Sequence, residues 1–510
     1  MRADSRTGGF RRVRRAVAWR DERAAVCHPH SVGRERREPE EPPTRSVSEE
    51  NAMGATTEHV GSPSRTDRLD RLDVNRAHGR LLLGAGVGWA LDAMDVGLIS
   101  FVMLALARQW QLDSATLSGI ASIGFVGMAI GAGVGGLLAD RIGRRQVFAL
   151  TLLVYGLATG ASALAGSVAV LMVLRFLVGL GLGAELPVAS TLVSEYSPQA
   201  VRGRMVVALE SFWAIGWILA ALIGYFVIPL NDDGWRWALA VGIVPTLYAV
   251  VVRWGLPESV RFLESKGRHA EAERAVRQFE APAGIVHDEP LPTDEPSTLA
   301  RAARPRGKSG LWTSDFRRRT AALWIVWFMV NLSYYGAFIW LPTFIAGQGY
   351  GLVKSFEYTL IITLAQVPGY ALSAWLIEVW GRRATLATFL VGSAASAALF
   401  GAVGSAAFPQ IQGAGWLITA GCLLSFFNLG AWGALYAVSP EIYPTRIRST
   451  GAGAAAAFGR IASILAPIVA DRLVHAGGQG LVFAVFCVAF AIAAVAALFL
   501  PELRRVALEE

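Results

Sequence analysis

Long, solidly apolar runs dominate this chain. Leu117 to Ala139 holds no charged residue, and neither does Thr320 to Val353. Ala384 to Pro440 is a charge-free stretch of 57 residues. One bilayer crossing takes roughly 20 apolar residues, so that stretch has room for two crossings and a hairpin. The strands of a membrane barrel would alternate apolar and polar positions, and these runs do not. The pattern predicts twelve helical spans, at 81–107, 117–139, 147–166, 169–193, 205–229, 235–254, 320–346, 355–378, 384–405, 413–437, 451–473 and 480–500. The expected fold is an all-α membrane protein of 12 transmembrane helices, arranged as two pseudo-symmetric six-helix bundles.

The polar segments divide the chain. Residues 1–76 are rich in Arg, Glu, Pro and Ser without apolar periodicity, and read as a disordered tail. No apolar core follows their arginines, so they are not a signal peptide. Met53 offers a shorter start, and residues 1–52 are either an upstream extension or a solvated tail. The N-terminal bundle is expected at 81–254, a polar linker at 255–319, the C-terminal bundle at 320–500 and a short tail at 501–510.

Composition agrees: 54% of residues are hydrophobic and only 17% charged. A globular chain of this length carries about 25% charge. The net charge of +8 is a topology signal, because it sits in short loops rather than on a patch for nucleic acid. Arg141, Arg144, Arg145, Arg202, Arg204, Arg382, Arg383, Arg446 and Arg448 fall in alternate loops, and the linker adds more. The opposite loops hold only Arg108, Arg236, Lys354 and Arg472. By the positive-inside rule both termini and the linker are expected in the cytoplasm, with the protein in the cell's inner (plasma) membrane. Cys27, Cys422 and Cys487 form no spaced motif, and no metal or cofactor is implied.

The two halves repeat. "GLLADRIGRR" (136–145) follows the second span and "AWLIEVWGRR" (374–383) the eighth. Asp140 and Glu378 are 238 positions apart, as are Gly143 and Gly381. One hairpin later, Glu195 with Arg202 in "EYSPQAVR" is matched by Glu441 with Arg448 in "EIYPTRIR". Parallel six-span repeats are a transporter architecture, with substrate near the midplane between halves.

"GLLADRIGRR" resembles the signature of the major facilitator superfamily between its second and third spans. "RFLVGLGLG" (175–183) is similar to that superfamily's fourth-span motif. "LPESVRFL" (256–263) is similar to the sugar-porter motif after span six, with Val260 in place of the usual proline. "LDAMDVGLISFV", "GAELPVASTLVSE", "SYYGAFIWLP" and "LSFFNLGAWGALYA" resemble the bacterial niacin/nicotinamide permeases of the superfamily, over about residues 80–500. The resemblance implies a secondary active transporter rather than an enzyme, working by alternating access. It implies proton-coupled uptake of niacin or another pyridine or aromatic carboxylate, and most simply a monomer. It also implies a cytoplasmic gate built from Gly136, Asp140, Arg141, Gly143, Arg144, Arg145, Glu195, Arg202, Glu378, Arg382, Glu441 and Arg448. Within it, Glu195 is expected to pair with Arg202, and Glu441 with Arg448. Permeases for other aromatic acids, sugars or drugs stay open, as does a transporter-like nutrient sensor.

The charges inside the spans are few: Asp92, Asp95, Arg175, Glu185, Glu210 and Arg460. Each is costly against lipid and should face a cavity or a partner. At ~1.5 Å rise per residue, Asp92 falls near the midplane. Asp95 and Arg175 both lie roughly 9 Å from the outer face on that rise. They are opposite in charge and matched in depth. Sugar porters carry a proton-coupling aspartate and arginine at these motif positions, so Asp95, Arg175 and Asp92 are the expected proton-coupling residues. A static ion pair joining spans one and four is the alternative. Asp92, three residues before Asp95, is placed to share its proton. Pro187 is expected to bend the fourth span.

A flat heteroaromatic acid would be held by stacking, amide hydrogen bonds and a cation. Trp213, Trp217, Tyr334, Tyr335, Gln366, Asn428, Trp432 and Arg460 are the expected binding residues, Arg460 supplying the cation. Each aromatic has an alternative as interface anchor or packing. No GxxxxGK[ST] loop is present, which argues against ATP as the energy source.

Overall fold

The computed structural model describes residues 64–292, 310–403, 408–444 and 447–502, without the side chains of Leu186, Pro187, Arg448 and Ser449. A short helix, α1 (Arg65–Asp70), precedes the first bundle. That bundle comprises α2 (Arg76–Gln109), α3 (Ser114–Ile142), α4 (Arg144–Ser162), α5 (Val168–Tyr196), α6 (Arg202–Phe226) and the pair α7 (Gly234–Ala240) and α8 (Val244–Gly255). The linker folds into α9 (Val260–Ser265) and α10 (His269–Glu280). The second bundle comprises α11 (Arg317–Phe338), α12 (Leu341–Gly347), α13 (Leu352–Leu364), α14 (Gln366–Val379), α15 (Arg382–Val403), α16 (Ala414–Glu441) and α17 (Arg448–Ala497).

Ten of these stretches are long and apolar enough to cross a membrane. The expected twelve is consistent with this if two further stretches also cross. One is α4, 19 residues long. The other comes from α17, which breaks at Gly477 and Gly478 into two limbs. The break is backbone-encoded, because Gly478 has φ 71°, a region that only glycine enters freely.

Within the first bundle α3 packs on α5, α2 on α6, and α4 on α5 and α8. Within the second, α11 packs on α17, α15 on α16 and α17, and α14 on α16. The halves meet where α3 touches α17 and where α6 touches α13, α14 and α16. The α3–α5 contact rests on small residues. A Cβ on Gly127, Gly131 or Gly135 would lie 2.3, 2.1 or 2.2 Å from atoms of α5, the close approach by which apolar helices associate without a hydrophobic driving force. The central helix α2 is buried along most of its length, which is why its two aspartates are inside. Outward faces carry exposed apolar side chains such as Leu137, Val173, Leu247 and Trp254.

The tail expected over residues 1–76 needs correction at its end. Residues 1–63 lie outside the described residues, but Arg65–Asp70 is a capped helix that buries Leu69 and Leu72. It docks through Arg65 and Arg68, which together bridge Glu264, Glu273 and Glu280 of the linker at 2.6–3.0 Å. These arginines read as solvated charge only while their acidic partners, some 200 residues away, are not considered. The bend expected at Pro187 falls outside the described side chains.

Candidate functional site

The expected depth match of Asp95 and Arg175 is met by direct contact. Arg175 Nη2 of α5 donates to Asp95 Oδ1 and Oδ2 of α2 at 3.2 and 3.3 Å. Thr159 Oγ1 of α4 donates to Asp95 Oδ1 at 2.6 Å. Both charges are buried, at 1% and 4% exposure. A small cavity abuts the pair, walled by Ile120, Gly124 and Met128 of α3 among others. Three helices therefore hold one carboxylate in a charge-assisted cluster with open space beside it.

Asp92 does not join this cluster. It is buried, and its Oδ1 has no hydrogen-bond partner among the described residues. It lies in electrostatic range of Glu185, Asp95 and Arg460. Glu185 is fully buried, with neither carboxyl oxygen partnered among the described residues.

A second, small cavity lies between the bundles. Trp89, Glu210 and Trp213 line it from the first half, and Tyr334, Tyr335, Tyr370, Trp432, Tyr436 and Arg460 from the second. Trp213 Nε1 donates to Tyr334 Oη at 2.8 Å, a hydrogen bond joining the two halves at the cavity wall. Arg460 Nη1 reaches Tyr335 Oη at 3.4 Å and Met128 Sδ at 3.9 Å. Among the described residues no carboxylate lies within ion-pair distance of it.

Five of the eight residues expected at the ligand, Trp213, Tyr334, Tyr335, Trp432 and Arg460, line this cavity. Trp217, Gln366 and Asn428 do not. Trp217 is fully buried against Tyr334 and Phe338, and packs behind the cavity wall because its ring falls one helical turn beyond Trp213. Gln366 and Asn428 are buried with both side-chain polar atoms unpartnered. Trp89 and Tyr370 went unforeseen. Trp89 had a signal, since it precedes Asp92 by three residues on the same helix face; Tyr370 had none.

The arginine-loop end is built twice. Gly143 and Gly381 adopt φ 106° and 99° and end α3 and α14. The backbone N–H groups of Arg144 and Arg145 donate to Glu258 at 2.7 and 3.1 Å. Those of Arg382 and Arg383 donate to Glu502 at 2.9 and 3.1 Å. Each glutamate satisfies orphan donors at a helix N-terminus. "LPE" at 256–258 and again at 500–502 is the sequence trace of this pair, and Glu502 was missed.

The expected ion pairs need correction. Arg202 binds Asp70 and the Ser197 carbonyl, not Glu195, because α1 presents a carboxylate to it. Glu195 instead accepts from the Ser259 hydroxyl. Glu441 pairs with Arg382 at 2.9 Å; the side chain of its expected partner Arg448 lies outside those described. Asp140 pairs with Arg144 at 3.0 Å. Glu378 reaches across to Arg204 of the other half at 3.4 Å. Arg141 and Arg383 are exposed, and Gly136 is half-buried on α3.

Two helical bundles with a small aromatic cavity between them, and a buried ion pair inside the first, define a membrane transporter of the multi-pass type. The chain belongs to the sugar (and other) transporter family, whose model matches residues 75–510. It is 48% identical over 432 residues to the niacin transporter NiaP of Acinetobacter baylyi, covering 84% of this chain and 95% of that one. It is 45% identical over 416 residues to a NiaP protein of Bacillus subtilis, covering 81% and 94%. The fold is similar to that of the major facilitator superfamily proton:xylose symporter XylE, with a TM-score of 0.66 at 18% identity over 85% of this chain and 98% of that one.

Proposed function

We propose that this chain imports nicotinate, or a close pyridine carboxylate, coupled to protons. The observation that carries the reading is Arg460, a cation without a carboxylate partner among the described residues, facing a small aromatic cavity between the halves. Such a group takes a carboxylate, and the aromatic walls take a flat ring. The names of the relatives at 48% and 45% identity favour the same substrate.

Asp95 is the proton carrier in this reading. It is ion-paired with Arg175; when α2 rearranges against α5 and separates them, a proton takes the guanidinium's place. The Arg204–Glu378 bridge and the two glycine–glutamate caps form the cytoplasmic gate. The chain acts as a monomer in the inner membrane with both termini cytoplasmic, and performs no covalent chemistry on its cargo.

The test is uptake of labelled nicotinate into proteoliposomes, against nicotinamide and benzoate, with and without an imposed proton gradient. Nicotinate is expected to accumulate only with the gradient. No uptake of nicotinate at micromolar concentration would overturn the substrate, and accumulation indifferent to the gradient would overturn the coupling.

A further inference from the structure

We propose that Glu210 is a second polar anchor for the ligand, donating a hydrogen bond to the ring nitrogen while Arg460 takes the carboxylate. The inference rests on the pyridine-carboxylate reading above and goes further, to how that ring is told apart from benzoate.

Glu210 stands on α6, in the first half, and Arg460 on α17, in the second. Both line the same cavity. Glu210 is 1% exposed; Trp89 lies in reach of its carboxyl, but its Oε1 has no hydrogen-bond partner among the described residues. The rest of the lining is aromatic, so these two are its only charged-type groups among the described residues. They are not paired with each other within 4.0 Å among the described residues. A buried carboxyl with an open hydrogen-bonding atom is unfavourable unless something satisfies it. A ligand with an acceptor on its ring, away from its carboxylate, does so. Benzoate has no such acceptor and leaves Glu210 unanswered.

The ring nitrogen of a pyridine accepts and does not donate, so the carboxyl carries the proton in the bound state. A ligand held at both ends spans the two bundles, tying α6 to α17. Sites built to hydrogen-bond a ligand atom reject the analogue that lacks it far more strongly than apolar pockets reject a shape change.

The experiment is equilibrium binding of nicotinate and benzoate to the purified, full-length protein in lipid nanodiscs, for the wild type, Glu210→Gln and Glu210→Leu. The wild type is expected to favour nicotinate by roughly 10-fold or more. Glu210→Leu should lose that preference while still binding benzoate. Glu210→Gln should keep much of it, because the amide also donates. Equal affinity of the wild type for the two acids would overturn the inference while leaving the transport reading intact, and needs no variant to fold. A preference that survives in Glu210→Leu, or vanishes as fully in Glu210→Gln, would overturn it too. Absence of nicotinate binding to the wild type would instead remove the reading on which it rests.

Discussion

The two bundles are alike at the arginine-loop end and unlike in the middle. At that end each half has a positive-φ glycine, a pair of arginines and a distant glutamate capping the next helix. In the middle the first half buries Asp92, Asp95, Arg175, Glu185 and Glu210. The second half offers amides, hydroxyls and aromatics, with Arg460 as its mid-span cation and Asp471 near the far end of its first α17 limb. The repeat is kept where helix ends must be closed, a need both halves share. It is lost in the middle, where buried carboxylates gather in one half and amides, hydroxyls and most of the cavity's aromatics in the other.

The sharpest way to break this comparison is to remove the arginine from each side. Arg175→Met leaves Asp95 buried without its cation, and losing one partner of such a pair destabilises by about 3–5 kcal/mol. Arg460→Met breaks no ion pair, so the melting temperature of purified protein should barely move while nicotinate binding weakens. Equal destabilisation by both would erase the distinction between a structural pair and a ligand cation. Asp95→Asn refines it: the amide can still accept from Thr159, so the protein should fold and exchange substrate but fail to concentrate it. An Asp95→Asn protein that accumulates substrate normally would make the pair static.

The likeness at the loop end is open to a smaller test. A Cβ at Gly143 would meet Glu258 Oε2 at 2.3 Å, and one at Gly381 would meet Glu502 Oε1 at 2.6 Å. Alanine at either also meets an unfavourable backbone region, at about 1–3 kcal/mol each. Thermal unfolding of Gly143→Ala and Gly381→Ala should show similar losses. A large loss in one and none in the other would mean that only one cap matters to the fold.

The sequence carried the fold further than the site. Apolar runs and duplicated loops sufficed for the helix plan and the division into halves, because both are local patterns. Asp95 and Arg175 were matched by depth, since a bilayer ranks residues along one axis, and by their likeness to the sugar-porter motif positions. Depth says nothing of azimuth, which is why Trp217, Gln366 and Asn428 looked equivalent to Trp213 and yet lie off the cavity. The gate pairs failed differently. Glu195 and Arg202 are close in sequence, but Asp70 and Ser259 approach them from segments that read as tail and linker, so their true partners had no sequence signal.

That tail gives the mildest prediction, and it sharpens the comparison, because α1 straps the first half alone. Glu273 is pushed up by burial, but hydrogen bonds from Arg68, Arg65 and Arg277 outweigh this and hold its carboxyl down at about 2, against an ordinary 4.5. A carboxyl lowered on folding contributes stability above its ordinary value and loses it as pH falls. The strap should therefore be intact at pH 5 and loosen between about pH 4.5 and 2. The effect is small, about 1 kcal/mol, because the bridging guanidinium groups are partly solvated. Hydrogen exchange of the Leu69–Leu72 amides reads it directly. Protection should fall with acid in the wild type, and be lower and flatter in Glu273→Gln. Wild-type protection unchanged from pH 5 to pH 2 would mean that the apolar contacts of Leu69 and Leu72 hold α1 without the charges, and that the first half's additional strap is hydrophobic rather than ionic.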